Sequence, residues 1–260
     1  LNTMTKAFWG ELPDIIRQID KGALARVIVL SSTGRHFSAG MDLGNFSNAG
    51  SPFTHDGKEL DHARRADLVF RNTMQLQDSL SALEQCRIPV IAAIQGGCIG
   101  GAVDLATACD LRYATQDAWF CVQETAIGIV ADVGTLQRLP KLIPDGIARE
   151  LAFTGDRLPA QRALELGLLS AVAETQSELM EQVEQVAERI AQHSPLVTSG
   201  VKQVMNYSRD HSVSEGLEHV ALWNASMLSS VDLTAAMTAY SNKKQASFNG
   251  LGVKKDYWET

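Results

Sequence analysis

The stretch PVIAAIQGGCIGGAVDLATACDLRYAT, residues 89–115, decides the fold. Its first six residues are a short continuous apolar run, which predicts a buried strand. GGCIGG, 96–101, then bends the chain into AVDLATACD, a helical segment, and DLRYATQ, 110–116, predicts a second strand. A strand, a glycine-rich turn, a helix and a further strand form the repeating unit of an α/β protein.

The same alternation extends outward. Upstream, ARVIVLSS (25–32) predicts another buried strand, and TMTKAFWGELPDIIRQI predicts a Thr-capped helix with Phe8, Leu12, Ile15, Ile16 and Ile19 at helical spacing. Residues 44–60, rich in Gly, Ser, Asn and Pro, predict an irregular loop, and 63–86 a long helix with Val69, Met74, Leu76, Leu80 and Leu83 on one face. AWFCVQE (118–124) predicts a strand. Beyond it helices are expected at 133–143, 146–153, 159–166, 176–192, 196–209, 214–229 and 231–243. Pro195 marks the expected boundary between a core, 1–195, and a helical region, 196–260.

The 260 residues suffice for one large domain or a domain with an appendage. With 23 Lys and Arg against 30 Asp and Glu, the net charge of −7 argues against a nucleic-acid partner. No apolar run approaches the ~20 residues of a membrane span, and LNTMTKAFWGEL lacks the pattern of a signal peptide. Cysteines 86, 98, 109 and 121 show neither CxxC spacing nor clustering with histidine, which predicts reduced core thiols and no metal site.

GGCIGG lacks the Lys-Ser/Thr of a phosphate-binding loop and does not fit GxGxxG. Alone it predicts tight strand-to-helix packing. RHFSAGMDL (35–43), however, also follows a strand and also bends through small residues. Two such turns can aim two backbone N–H groups at one oxygen, which is how an oxyanion is held. A second feature stands out in QETAIGIVADVG (123–134), where Glu124 and Asp132 flank an apolar run without Lys or Arg. Apolar surroundings raise carboxyl pKa values and suit a general base and its protonated partner.

FSAGMDL, the 89–115 stretch and GTLQRLP together resemble the crotonase (enoyl-CoA hydratase/isomerase) superfamily along nearly the whole chain. GGCIGGAVDL, VADVGTLQRLP and YSRDHSV…LWNASML resemble its dienoyl-CoA isomerase branch. The resemblance implies an α/β spiral of ββα turns with a helical C-terminal region, assembled as a homotrimer or a dimer of trimers. Family members normally place strands ahead of the position of Leu1, so the chain is expected to start after them. The implied substrate is an acyl-CoA thioester, with coenzyme A part of the substrate and no cofactor. The oxyanion donors would be the N–H groups of Ala39 and Gly101, and Ala39, Gly40, Met41, Asp42, Leu43 and Gly101 would line the thioester site.

By the same resemblance Glu124 would take a proton from C2 of a 3,5-dienoyl-CoA and Asp132 would deliver one to C6, giving the 2,4-diene in β-oxidation of unsaturated fatty acids. Asp104 and Glu124 hold the positions of the two hydratase acids, so an enoyl-CoA hydratase is the nearest alternative. A non-catalytic or RNA-binding protein of this fold is another. Asp104 is equally open to an orienting or a catalytic role. Asp132 could also cap the helix starting near Gly134, while His211 suits a turn or interface and Asp42 a structural role. The expected location is the cytoplasm if the source is bacterial, otherwise the mitochondrial matrix or peroxisome, with no targeting signal in the chain.

Overall fold

The computed structural model describes residues 1–42, 44, 54–55, 58–228 and 231–255. In chain order its elements are α1 (Lys6–Gly22), β1 (Ile28–Leu30), β2 (Thr54–His55), β3 (Lys58–Glu59), α2 (His62–Gln85), β4 (Val90–Ile94), β5 (Gly97–Ile99), α3 (Gly101–Ala108), β6 (Leu111–Thr115) and β7 (Trp119–Cys121). There follow α4 (Thr135–Arg138), α5 (Asp145–Thr154), β8 (Leu158–Pro159), α6 (Ala160–Glu165), β9 (Ala171–Ala173), α7 (Gln176–Ala191), α8 (Pro195–Asp210), α9 (Val213–Met227) and α10 (Val231–Ser241).

One sheet runs β1-β4-β6-β9, all parallel, and a second runs β5-β7-β8 with β8 antiparallel. Each winding of the chain contributes first to one sheet and then to the other. β4 is followed by β5 and α3, and β6 by β7; β1 is followed by Ser38, which bridges in parallel to Cys98 on β5. That is a spiral of ββα turns. Every residue of β4 is buried, as a strand covered on both faces requires.

The glycine-rich stretch departs from its reading as a turn. Gly97, Cys98 and Ile99 form β5, paired with Trp119, Phe120 and Cys121, and the bends fall on either side at Gly96 and Gly100. The segment expected as one helix over 133–143 is shorter, ending as α4 at Arg138 and passing into a 3₁₀ turn around Pro140. Proline there lacks the N–H an α-helix would use. The 44–60 loop lies mostly outside the described residues; β2 and β3 pair antiparallel within it.

α1 is capped by Thr5 and buries Trp9 and Ile16, with Ile15 facing out. On α2, Leu80 and Leu83 are buried, whereas Val69 and Met74 are exposed, so the first half of that face is open. α8 is bound to the core by polar contacts. Lys202, itself buried, donates to the carbonyls of Leu83 and Ile88 at 2.7 and 3.1 Å and pairs with Asp110 at 2.8 Å. Leu217 and Leu222 on α9, Leu228 just after it and Met237 on α10 are exposed. Among the described residues no helix is long and apolar enough to cross a membrane.

Candidate active site

Glu124 stands just after β7, at the start of a 3₁₀ turn, and is 8% exposed. Its Oε1 faces Gly100, where a Cβ would come within 3.2 Å of it, and its Oε2 has no hydrogen-bond partner. Gly100 holds φ 55° and ψ −124°, a conformation that a side chain would strain. Asp104 is the fourth residue of α3 and fully buried; its Oδ1 accepts the backbone N–H of Thr135, and its Oδ2 has no partner. Two buried carboxylate oxygens thus face the interior without donors, which is unusual outside functional sites.

Electrostatics follow from that placement. Burial pushes the Glu124 carboxyl up to about 7, with the charge of Asp104 and then that of Asp132 adding to the rise. Burial likewise pushes Asp104 up to about 6, moderated by the Thr135 N–H and the Arg138 charge and reinforced by Asp132. Partial burial of its carboxyl also raises Asp132. The three acids therefore lie within one another's fields and titrate as a coupled set.

Asp132 itself is exposed, as are Ile127, Ile129 and Val130 before it. The apolar run expected to bury both acids instead presents its side chains outward beside the site. Nor does Asp132 cap α4. Gly134 occupies the cap position with no side-chain bond, and the acceptor for the first helical N–H comes from Asp104, on another helix. Gln77 of α2 holds the backbone of Asp132, with Nε2 2.6 Å from its carbonyl.

The 35–43 turn lies against the head of α3. A Cβ on Gly40 would stand 2.5 Å from the Ile99 carbonyl and 3.3 Å from the Gly101 nitrogen, so only glycine permits this approach. As the first residue of α3, Gly101 has an N–H with no intrahelical acceptor. The Ala39 N–H is donated to the Leu1 carbonyl at 3.2 Å. The Met41 nitrogen stands 3.9 Å from the position of a Gly101 Cβ. Asp42 is structural: it accepts from the Thr3 hydroxyl at 2.6 Å and the Gly44 N–H at 2.8 Å, the hydroxyl chiefly lowering its pKa. Leu43 lies outside the described residues.

Two supporting residues escaped the sequence reading, Gln77 and Thr135; their roles rest on contacts 55 and 31 residues away in the chain. His211 stacks on Tyr207 with ring centroids 3.7 Å apart, and Lys254 pairs with Asp20. The four cysteines are free and buried, and among the described residues no cluster of His, Cys, Asp and Glu could hold a metal ion.

With this geometry in hand, the comparisons are specific. The family model "Enoyl-CoA hydratase/isomerase" matches residues 1–251. The chain is 43% identical over 248 residues to the peroxisomal delta(3,5)-delta(2,4)-dienoyl-CoA isomerase of Arabidopsis thaliana, covering 95% of this chain and 88% of that one. It is 42% identical over 246 residues to the mitochondrial dienoyl-CoA isomerase of Homo sapiens, covering 94% and 74%. Among solved structures, an enoyl-CoA hydratase from Bacillus anthracis superposes with a TM-score of 0.84 at 29% identity, covering 96% and 91%.

Proposed function

The chain belongs to the enoyl-CoA hydratase/isomerase family, and we infer that it is a delta(3,5)-delta(2,4)-dienoyl-CoA isomerase of unsaturated fatty-acid β-oxidation. The observation that carries the reading is the set of coupled carboxyls, with Glu124 and Asp104 buried and Asp132 at the open edge.

Glu124, with a carboxyl near neutrality, is the base for C2 of the substrate. Breaking that C–H bond leaves a dienolate whose charge reaches the thioester oxygen. The Gly101 N–H is one donor to that oxygen, and the second comes from the backbone of the 39–41 turn packed against the head of α3. The dienolate collects a proton at C6 from Asp132, and the double bonds at C3 and C5 move to C2 and C4. A raised carboxyl pKa favours the protonated form that this delivery needs. The exposed Ile127, Ile129 and Val130 offer apolar contact to the acyl chain between the two acids. Asp104 raises the basicity of Glu124 and caps α4. Coenzyme A enters as part of the substrate, and no separate cofactor has a role in these steps.

The hydratase reading keeps one support: Asp104 and Glu124 are close enough to influence each other, and both have an unpartnered oxygen that could hold water. Ultraviolet spectroscopy separates the two. Conversion of 3,5-dienoyl-CoA builds the absorbance of the conjugated 2,4-diene, whereas hydration of a 2-enoyl-CoA loses absorbance. Hydration faster than isomerisation would overturn the assignment.

The open apolar faces of α2, α9 and α10 suit assembly into a homotrimer or a dimer of trimers. Residues 1–195 form the spiral core and 196–260 the assembling region in this reading. The named relatives are peroxisomal and mitochondrial; in a bacterium the same work falls to the cytoplasm.

A further inference from the structure

Behind the turn that carries Asp132 lies a cavity of about 450 Å³ lined by Gln77, Ser81, Glu84, Gly134, Arg138 and Arg209, among others. Its three cations share two carboxylates. Arg138 pairs with Glu84 at 3.1 Å, Arg209 with Glu84 and with Asp210, and Lys141 with Asp210. The interest of the cavity lies in what it braces.

We propose that Arg138 is a positioning residue of the reaction: it clamps the 132–135 turn against α2 and thereby sets where Asp132 stands relative to Glu124. The Arg138 side chain is 11% exposed. Its Nη2 donates to Ser81 Oγ at 3.2 Å and to Glu84 at 3.1 Å, and its Nη1 to the Val133 carbonyl at 3.4 Å. A Cβ at Gly134, where φ is +131°, would stand 1.8 Å from Nη1, so the guanidinium occupies the space any side chain there would need. Gln77 grips the Asp132 carbonyl from the same helix. Gln77, Ser81 and Glu84 are spaced four and three residues apart, which puts them on one face of α2. The front of the turn gives its Thr135 N–H to Asp104. One short turn thus meets α2 behind and the buried acids in front.

Charge runs along the same line. Around Arg138 stand Glu84 from α2, Arg209 and Asp210 from α8, Lys141 beyond α4, and Asp104 from α3. Asp104 in turn meets Glu124 and Asp132. Arg138 lowers the Asp104 carboxyl against its burial, and the Asp104 charge raises Glu124. Loss of the Arg138 charge raises Asp104.

This inference rests on the isomerase reading. The test compares wild type with Arg138→Gln, Arg138→Lys and Glu84→Gln, measuring kcat and KM for a 3,5-dienoyl-CoA across pH, with circular dichroism to confirm folding. Arg138→Gln is expected to lose roughly 10²-fold in kcat with little change in KM, the scale of a modest misplacement of a reacting group, and to move the Asp104 carboxyl titration, read by infrared, to higher pH. Arg138→Lys keeps the charge but not the fork, so kcat falls while that titration stays. Glu84→Gln leaves Arg138 less neutralised and moves it to lower pH. A merely structural residue would not produce opposite shifts in the two neutral variants. If Arg138→Gln does not fold, the other two variants decide. An unmoved Asp104 titration in Glu84→Gln, or full kcat in Arg138→Lys, overturns the proposal. Infrared titration of the carboxyl bands needs no turnover. A wild type inactive on the diene, with bands that still shift as stated, would sink the isomerase reading and leave the electrostatic part of the clamp standing.

Discussion

Asp104 on α3 accepts the backbone N–H of Thr135 on α4, 31 residues along the chain, and in doing so joins a buried acid of the site to the turn bearing Asp132. Asparagine can accept that bond as aspartate does, and alanine cannot. Asp104→Ala should therefore be less stable than Asp104→Asn by about 0.5–2 kcal/mol, the usual worth of a helix cap. Urea unfolding of the two variants at one pH measures the difference. Equal stabilities would show that the bond contributes nothing.

Glu124 should cost stability at neutral pH. Its folded-state pKa, about 7, lies above its ordinary 4.5, so the native protein retains a proton that the unfolded chain has already released. The favourable contribution is complete below pH 4.5 and is lost as pH rises through 7. Glu124→Gln should accordingly be more stable than wild type at pH 8, by up to ~3 kcal/mol, and no more stable at pH 4. A gain of equal size at both pH values would mean that the effect is not electrostatic. The same variant should abolish exchange of the C2 proton.

Asp132→Asn should fold normally, since Asp132 caps no helix. Its isomerase turnover is expected to fall at least ~10²-fold, as for loss of a general acid. Some C2 exchange should survive, because abstraction precedes delivery at C6. Deuterium incorporation followed by mass spectrometry reads this directly. Full turnover in the asparagine variant would move the chemistry to Asp104 and Glu124.

Gly101→Pro removes a single N–H at the first position of α3, where proline fits a helix. Turnover should drop by ~10²–10³, the range for one lost oxyanion donor, while far-ultraviolet circular dichroism stays close to wild type. Retained turnover in a folded variant would exclude Gly101 as a donor.

Light scattering at micromolar concentration should show a trimer or a multiple of it, with Leu217, Leu222 and Met237 protected from solvent in the assembly. A monomer across that range would refute assembly through these faces.

The sequence displayed the alternation of strand and helix plainly, because β4 and β6 are long enough to have a pattern. It did not display β8 and β9, which have two and three residues and are made strands by their neighbours. GGCIGG reads as a turn because glycine carries no β signal; burial beside Trp119–Cys121 makes its middle a strand. Glu124 and Asp104 were legible as acids of the candidate site, but the choice of cap between Asp104 and Asp132 was not. A local rule favours Asp132, and the fold delivers Asp104 from another helix. The bond from the Ala39 N–H to the Leu1 carbonyl is another contact, across 38 residues, that local spacing cannot reveal.

Lys202 has a consequence for synthesis. Its partners at Leu83 and Ile88 leave the ribosome 119 and 114 residues ahead of it. At roughly 5–20 residues per second, the junction of α2, β4 and Asp110 waits on the order of ten seconds for its ammonium group. During that interval two carbonyls and a carboxylate at the junction lack their eventual partner. Nascent chains arrested before residue 195 should remain open to protease between residues 83 and 110, and chains long enough to expose Lys202 outside the exit tunnel should close. Protection already complete in the shorter chains would mean that the spiral finishes without α8.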